Sequence, residues 1–162
     1  MRFVGNAIWF VFGGAILALV WLVGAAVFAV SIIGLPLSRA AVEMAKMSAF
    51  PFGKTVVHVR ELDGRELSAT TALTGAVGFI ANVIWVLTFG LVLFLGYIVS
   101  GVLNCLTIIG IPFGLQAFKL AAISLWPVGR RVVTVELAKA AREHNALRQF
   151  EKIRGPGQLT SA

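Results

Sequence analysis

The 162-residue chain has one cysteine, two histidines and seven acidic residues. Each scarcity excludes a class of protein. Cys105 alone closes no disulfide within the chain and supports no cysteine-based zinc site. No metal-ligand cluster is readable around His58 or His144, and no cofactor is expected. Every acidic residue lies in a charged segment outside the apolar runs, and no nucleophile–base pair or paired carboxylate is visible. An enzyme is not expected. Charge itself is scarce, at 13% of residues against roughly 25% in soluble domains. No charge occurs in the 36 residues from Phe3 to Ser38 or in the 52 from Leu67 to Phe118. A membrane span needs only about 20 apolar residues. With 59% hydrophobic residues and a mean hydropathy of +0.92, the chain carries more apolar surface than a soluble core of this size can hide. An integral membrane protein is expected.

The charge that remains is uneven. Lys and Arg number one before the first apolar run, five between the runs and eight from Lys119 onward, against zero, four and three acidic residues. The segments therefore carry +1, +1 and +5 of the total +7. The basic tail predicts a cytoplasmic C-terminus by the positive-inside rule. Anionic lipid headgroups are its expected partner, and nucleic acid is not.

The chain is a tandem duplication. Setting Phe3 against Phe79 aligns Phe3–Val59 with Phe79–Val135 without a gap, and 20 of the 57 positions are identical. Phe3-x-x-Asn6-x-Ile8-Trp9 matches Phe79-x-x-Asn82-x-Ile84-Trp85. Ile32-Ile33-Gly34-Leu35-Pro36 matches Ile108-Ile109-Gly110-Ile111-Pro112, and Ser48-x-x-Pro51-x-Gly53 matches Ser124-x-x-Pro127-x-Gly129. Residues 3–38 thus repeat an internal segment and read as structure rather than a removable signal peptide.

These motifs resemble the YccF-type inner-membrane proteins, built from copies of a short inner membrane component domain. The second copy carries the resemblance best, in Asn82-x-Ile84-Trp85, Ile108-Ile109-Gly110-Ile111-Pro112-Phe113-Gly114, Phe118-Lys119 and Leu125-Trp126-Pro127-Val128-Gly129-Arg130-Arg131. The first copy departs from it: Glu43 stands where Lys119 does, and Lys54-Thr55 replaces Arg130-Arg131. The resemblance implies a bacterial inner-membrane location and brings no catalytic residues.

The fold expected is an all-α integral membrane protein of two tandem repeats. Each is an apolar helix or hairpin, a Gly-x-Pro break at Gly34/Pro36 or Gly110/Pro112, a shorter interfacial helix, a Pro-x-Gly turn and a Val-rich extended end. The organisation reads as repeat 1 over 3–59, an extramembrane hairpin or linker over 60–78, repeat 2 over 79–135, and a cytoplasmic basic helix and tail over 136–162. The hairpin is expected around Asp63-Gly64, flanked by Val57–Leu62 and Arg65–Leu67. On the first short helix Arg39, Glu43 and Lys46 share one face. The protein is expected to be multi-pass, with two to four spans. Inverted copies follow if each unit crosses once, parallel copies if each crosses twice or re-enters, and the Lys/Arg count favours the parallel arrangement with both Pro-x-Gly ends cytoplasmic.

Several residues are candidates for function, each with a plain packing alternative. Asn6 and Asn82 either bond between elements or line an aqueous path. Gly96, Ser100 and Asn104, with Thr107 beyond them, form a small-polar stripe suited to close helix approach or to a narrow conduit. Lys119 either snorkels to headgroups or rings a pore mouth. Trp9, Trp21, Trp85 and Trp126, with Tyr97, read as interfacial anchors, and Arg130 and Arg131 as headgroup contacts. Gly53-Lys54-Thr55 only mimics the end of a phosphate loop, because Ser48 stands where the first glycine is needed. The function expected is an oligomeric small-ion channel or transport component, a homo-oligomer in contact with membrane lipids. The alternative is a non-conducting scaffold that binds anionic lipid or a partner.

Overall fold

The computed structural model describes residues 2–30, 34–63 and 69–154. Helix α1 (Arg2–Trp9) continues through a π-helical turn at Phe10–Gly14 into α2 (Ala15–Ala29). After the break, α3 (Leu35–Ala49) packs back along α2. The second copy repeats this with α5 (Ala69–Trp85), a π-helical turn at Val86–Gly90, α6 (Leu91–Cys105) and the returning α7 (Ile111–Ser124). By length and apolar composition, Arg2–Ala29 and Gly75–Cys105 each suffice to cross a membrane. The two five-residue strands β1 (Lys54–His58) and β2 (Arg130–Thr134) follow the two turns, α4 (Val59–Asp63) follows β1, and α8 (Val135–Arg154) follows β2.

The helix breaks work differently from the expectation. Gly34 and Gly110 have ordinary helical φ of −79° and −77°, and each caps a helix that has Pro at its second position. Proline there starts α3 and α7, since its missing N–H lies in the first turn where no partner is needed. At Gly110 the demand is for space: its Cα packs against the Asn104 carbonyl, leaving no room for a Cβ.

The Pro-x-Gly turns do need glycine's conformational freedom. Gly53 and Gly129 hold φ of +90° and +88°, and Lys54 and Arg130 donate their N–H groups back to the carbonyls of Pro51 and Pro127. These are type II turns, whose third position requires positive φ.

The Val-rich ends pair with each other. β1 and β2 form an antiparallel ladder in the register Lys54↔Thr134, Val56↔Val132 and His58↔Arg130. The hairpin expected around Asp63-Gly64 does not form from Val57–Leu62: Val59–Asp63 is helical, and β1's partner is the equivalent strand of the other copy. Residues 69–78, placed in the linker, already belong to α5, while Gly64–Leu67 fall outside the described residues. Val56 and Val132 pack toward the helical core, and α8 lies on both strands, where Val57 and Ala138 are buried.

Contacts between α2 and the second long helix reveal how the copies are related. A Cβ on Gly13 would lie 3.2 Å from Ser100 Oγ, one on Gly96 2.9 Å from Leu17, and one on Gly24 3.3 Å from Phe89. Phe28 lies 5.9 Å from Trp85 between ring centroids. Numbers rise on one helix as they fall on the other, so the two run antiparallel. Helices and strands alike therefore obey one pseudo-twofold axis, which passes through the Val56/Val132 pair and between the centres of α2 and α6.

The core is aromatic. Trp21 stacks on Trp85 at 4.8 Å, and Trp9, Trp21, Trp85 and Tyr97 are all fully buried. The expectation of interfacial anchors is corrected for these four rings. Of the five aromatics named, only Trp126 is exposed.

Candidate functional site

Two clasps hold the turns to the long helices. Asn6 Nδ2 donates to the Phe52 carbonyl at 3.2 Å and its Oδ1 accepts the Phe52 N–H at 2.9 Å. Asn82 does the same to Val128, at 3.2 and 2.9 Å. A carboxamide offers one donor and one acceptor in a plane, matching a peptide N–H and C=O that no ladder uses. One turn deeper, Trp9 and Trp85 donate their indole N–H to the carbonyls of Ser48 and Ser124, at 2.6 and 2.8 Å. Each indole folds over the glycine five residues on, Gly14 or Gly90. The copies differ at the centre, where Trp21 donates to Tyr97 Oη at 3.0 Å and Tyr97 donates to Ser48 Oγ at 2.7 Å.

The small-polar stripe is used in the same way. Gly96 faces Leu17 and Ser100 faces Gly13, so both sit in the contact between the two copies. Asn104 donates back to the Ser100 carbonyl at 2.8 Å, and Thr107 Oγ1 accepts the Gly110 N–H at 3.0 Å across the break. Lys119 is exposed on α7 and makes no ion pair among the described residues. Glu43, its counterpart, is 4.0 Å from Lys46. Gln116 Nε2 on α7 is the buried side-chain nitrogen left without a partner among the described residues.

Charge gathers at the ladder. Arg2 bonds Glu136 at the start of α8 at 2.6 Å, tying the first helix to the last. Its own backbone N–H, then the Arg2 guanidinium, hold the Glu136 carboxyl below the usual carboxylate range. Arg142 pairs with Glu61 at 3.4 Å and Asn145 donates to the Glu61 carbonyl at 2.7 Å, fixing α4 to α8. Lys54, Arg130 and Arg131 have no acidic partner among the described residues. Together with α8 they form a basic platform over the apolar helices.

A family model for the inner membrane component domain, YccF, matches residues 4–54 and 80–130. The chain belongs to the YccF inner membrane component family. Each matched unit begins two residues before its clasp asparagine and ends at the first residue of a strand, so it encloses one Asn clasp and one Pro-x-Gly turn. The chain is 46% identical over 151 residues to the inner membrane protein YccF of Escherichia coli (strain K12), a match covering 93% of this chain and 100% of the relative. The same figures hold for inner membrane protein YccF of Shigella flexneri. No solved structure matches the chain. It is thus an inner-membrane protein of this family, built from two tandem copies of its domain. The Asn clasps were singled out by their repetition alone. The buried Trp–Gly pairs and the ladder between copies were missed, although the repeated Trp-x4-Gly spacing carries the first of them.

Proposed function

We propose that this protein is a non-enzymatic membrane scaffold, whose platform of β1, β2 and α8 lies on the cytoplasmic face and holds anionic lipid headgroups. One observation carries the reading: Asn82, Asn104 and Thr107, polar side chains among the apolar helices, are bonded within the subunit, whereas Lys54, Arg130 and Arg131, cations without an acidic partner among the described residues, collect at the ladder. A polar group already bonded to backbone offers little to a permeating ion, which needs ligands to replace its water. Cations beside an anionic leaflet each gain about 1 kcal/mol there. An open two-stranded ladder exposes unpaired backbone groups that hydrocarbon does not tolerate, which keeps the platform in the aqueous layer. The positive-inside rule then sets that layer, and with it the C-terminus, on the cytoplasmic side.

The test is reconstitution of the purified protein into vesicles of phosphatidylethanolamine with and without phosphatidylglycerol. The scaffold reading expects no potassium or chloride flux above protein-free vesicles, and a higher unfolding temperature when phosphatidylglycerol is present. Arg130→Glu with Arg131→Glu should abolish that rise. Ion flux that Lys119→Glu reverses in selectivity would establish the oligomeric channel reading instead, with exposed Lys119 at its mouth.

A further inference from the structure

The two long helices qualify as spans by length, yet their ends lie at the platform. Phe52, in the first turn, contacts Phe113 at 5.5 Å between ring centroids. Gly53, the next residue, accepts the Val135 N–H at the end of the ladder. Phe113 stands three residues past Gly110, so the second helix break lies within roughly 15–20 Å of the ladder, from side-chain reach and helical rise. At the opposite end, Phe28 contacts Trp85, which is bonded to Ser124 three residues before Pro127. Thus α2 starts beside the first turn, where Trp9 meets Ser48, and ends beside the second. Its length of about 22 Å compares with the ladder's span of about 17 Å. A hydrocarbon core is about 30 Å thick.

We infer that the chain inserts into a single leaflet and crosses the bilayer nowhere, with α2 and α6 lying along the membrane plane beneath the platform. The surface they present fits lipid acyl chains. Ile16, Leu19, Val23 and Val27 project from α2 with 50–70% exposure, and their counterparts Leu95 and Val99 from α6 with 60% and 57%. The same placement accounts for the charged face of α3: Arg39 and Lys46, about two turns apart and both exposed, reach one headgroup layer together when that helix also runs along it. A body buried in one leaflet adds volume to that leaflet, so it favours membrane curved toward the platform side. This inference rests on the platform's aqueous location, one part of the scaffold reading, and not on its lipid selectivity.

Single-cysteine variants in a Cys105→Ala background test it, in inner-membrane vesicles of both orientations. Spin labels at Ile16, Leu19, Val23 and Val27 should report depths agreeing within about one helical turn, ~5 Å. A spanning helix would spread the first and last by about 16 Å, at 1.5 Å per residue. A cysteine at Ile108, beside the second break, should resist membrane-impermeant maleimide from the periplasmic side. One at Lys139 should react from the cytoplasmic side alone, which also shows that the variant has kept its platform. Graded depths along α2, or periplasmic labelling at Ile108, would overturn the inference. Uniform depths without any phosphatidylglycerol effect would remove the scaffold reading and leave single-leaflet insertion standing.

Discussion

Replacing Asn82 by alanine removes one side chain and strands two backbone groups. Asn82 is 1% exposed, and among the described residues it alone bonds the N–H and the carbonyl of Val128, at 2.9 and 3.2 Å. Each buried group left without a partner costs about 1–3 kcal/mol, which puts the loss at roughly 2–6 kcal/mol if no water enters. Asn6 makes the same two bonds from a half-buried position, so solvent or headgroups compensate in part and Asn6→Ala should cost about half as much. Among the described residues the Asn104 side chain bonds only Ser100 in its own helix, whose carbonyl lies within the helical ladder, and Asn104→Ala should cost under about 1 kcal/mol. The assay is reversible unfolding in mixed micelles titrated with sodium dodecyl sulfate, followed by Trp fluorescence. The order Asn82, Asn6, Asn104 is the expected outcome. Equal losses for Asn82→Ala and Asn104→Ala would refute the clasp, and with it the reason for the repeated Asn.

Three further outcomes follow from the same geometry. Gly53→Ala and Gly129→Ala should each destabilise by about 1–2 kcal/mol, because φ near +90° is strained for any residue with a Cβ; unchanged unfolding curves would contradict the type II turns. Tyr97→Phe removes the hydroxyl between Trp21 and Ser48 and should cost about 1–3 kcal/mol, read in the same titration; Ser124→Ala, whose hydroxyl bonds only its own helix, should cost less. The Arg2–Glu136 tie should respond to acid. Since Glu136 titrates below its ordinary value of 4.5, its contribution is complete above that pH and is lost as pH falls through the depressed value. Glu136→Gln should flatten that acid limb, and an unaltered limb would show that the tie contributes nothing to it.

Much of this was legible because the chain states each element twice. Superposing the two copies marks Asn6/Asn82, Pro51/Pro127 and Gly53/Gly129 as positions under a shared demand, and a Pro-x-Gly turn then needs only the rule for positive φ. Periodicity stops at the boundary of a unit, however. Val56-Val57 and Val132-Val133 read as extended segments, but nothing local says that their partners are each other rather than Arg65–Leu67. Pairing between the copies is settled by the clasped turns, which deliver both strands to one place. The tryptophans failed for a related reason. An apolar run with Trp at intervals looks the same whether its rings face headgroups or a second copy, and only the antiparallel packing of α2 on α6 distinguishes them. Lys119 stayed ambiguous for want of any partner in the sequence pattern.

The two copies meet at one ladder, and a cross-link tests this directly. Val56 and Val132 face each other as a pair flanked by hydrogen-bonded neighbours, where Cα atoms lie about 4.5 Å apart, within disulfide reach. Val56→Cys with Val132→Cys, in the Cys105→Ala background, should give a disulfide on mild oxidation in intact membranes. After proteolysis, mass spectrometry should recover it as one peptide pair from a single chain. Absence of that pair, with both cysteines free to react with maleimide from opposite sides of the membrane, would contradict the ladder and the one-sided architecture built on it.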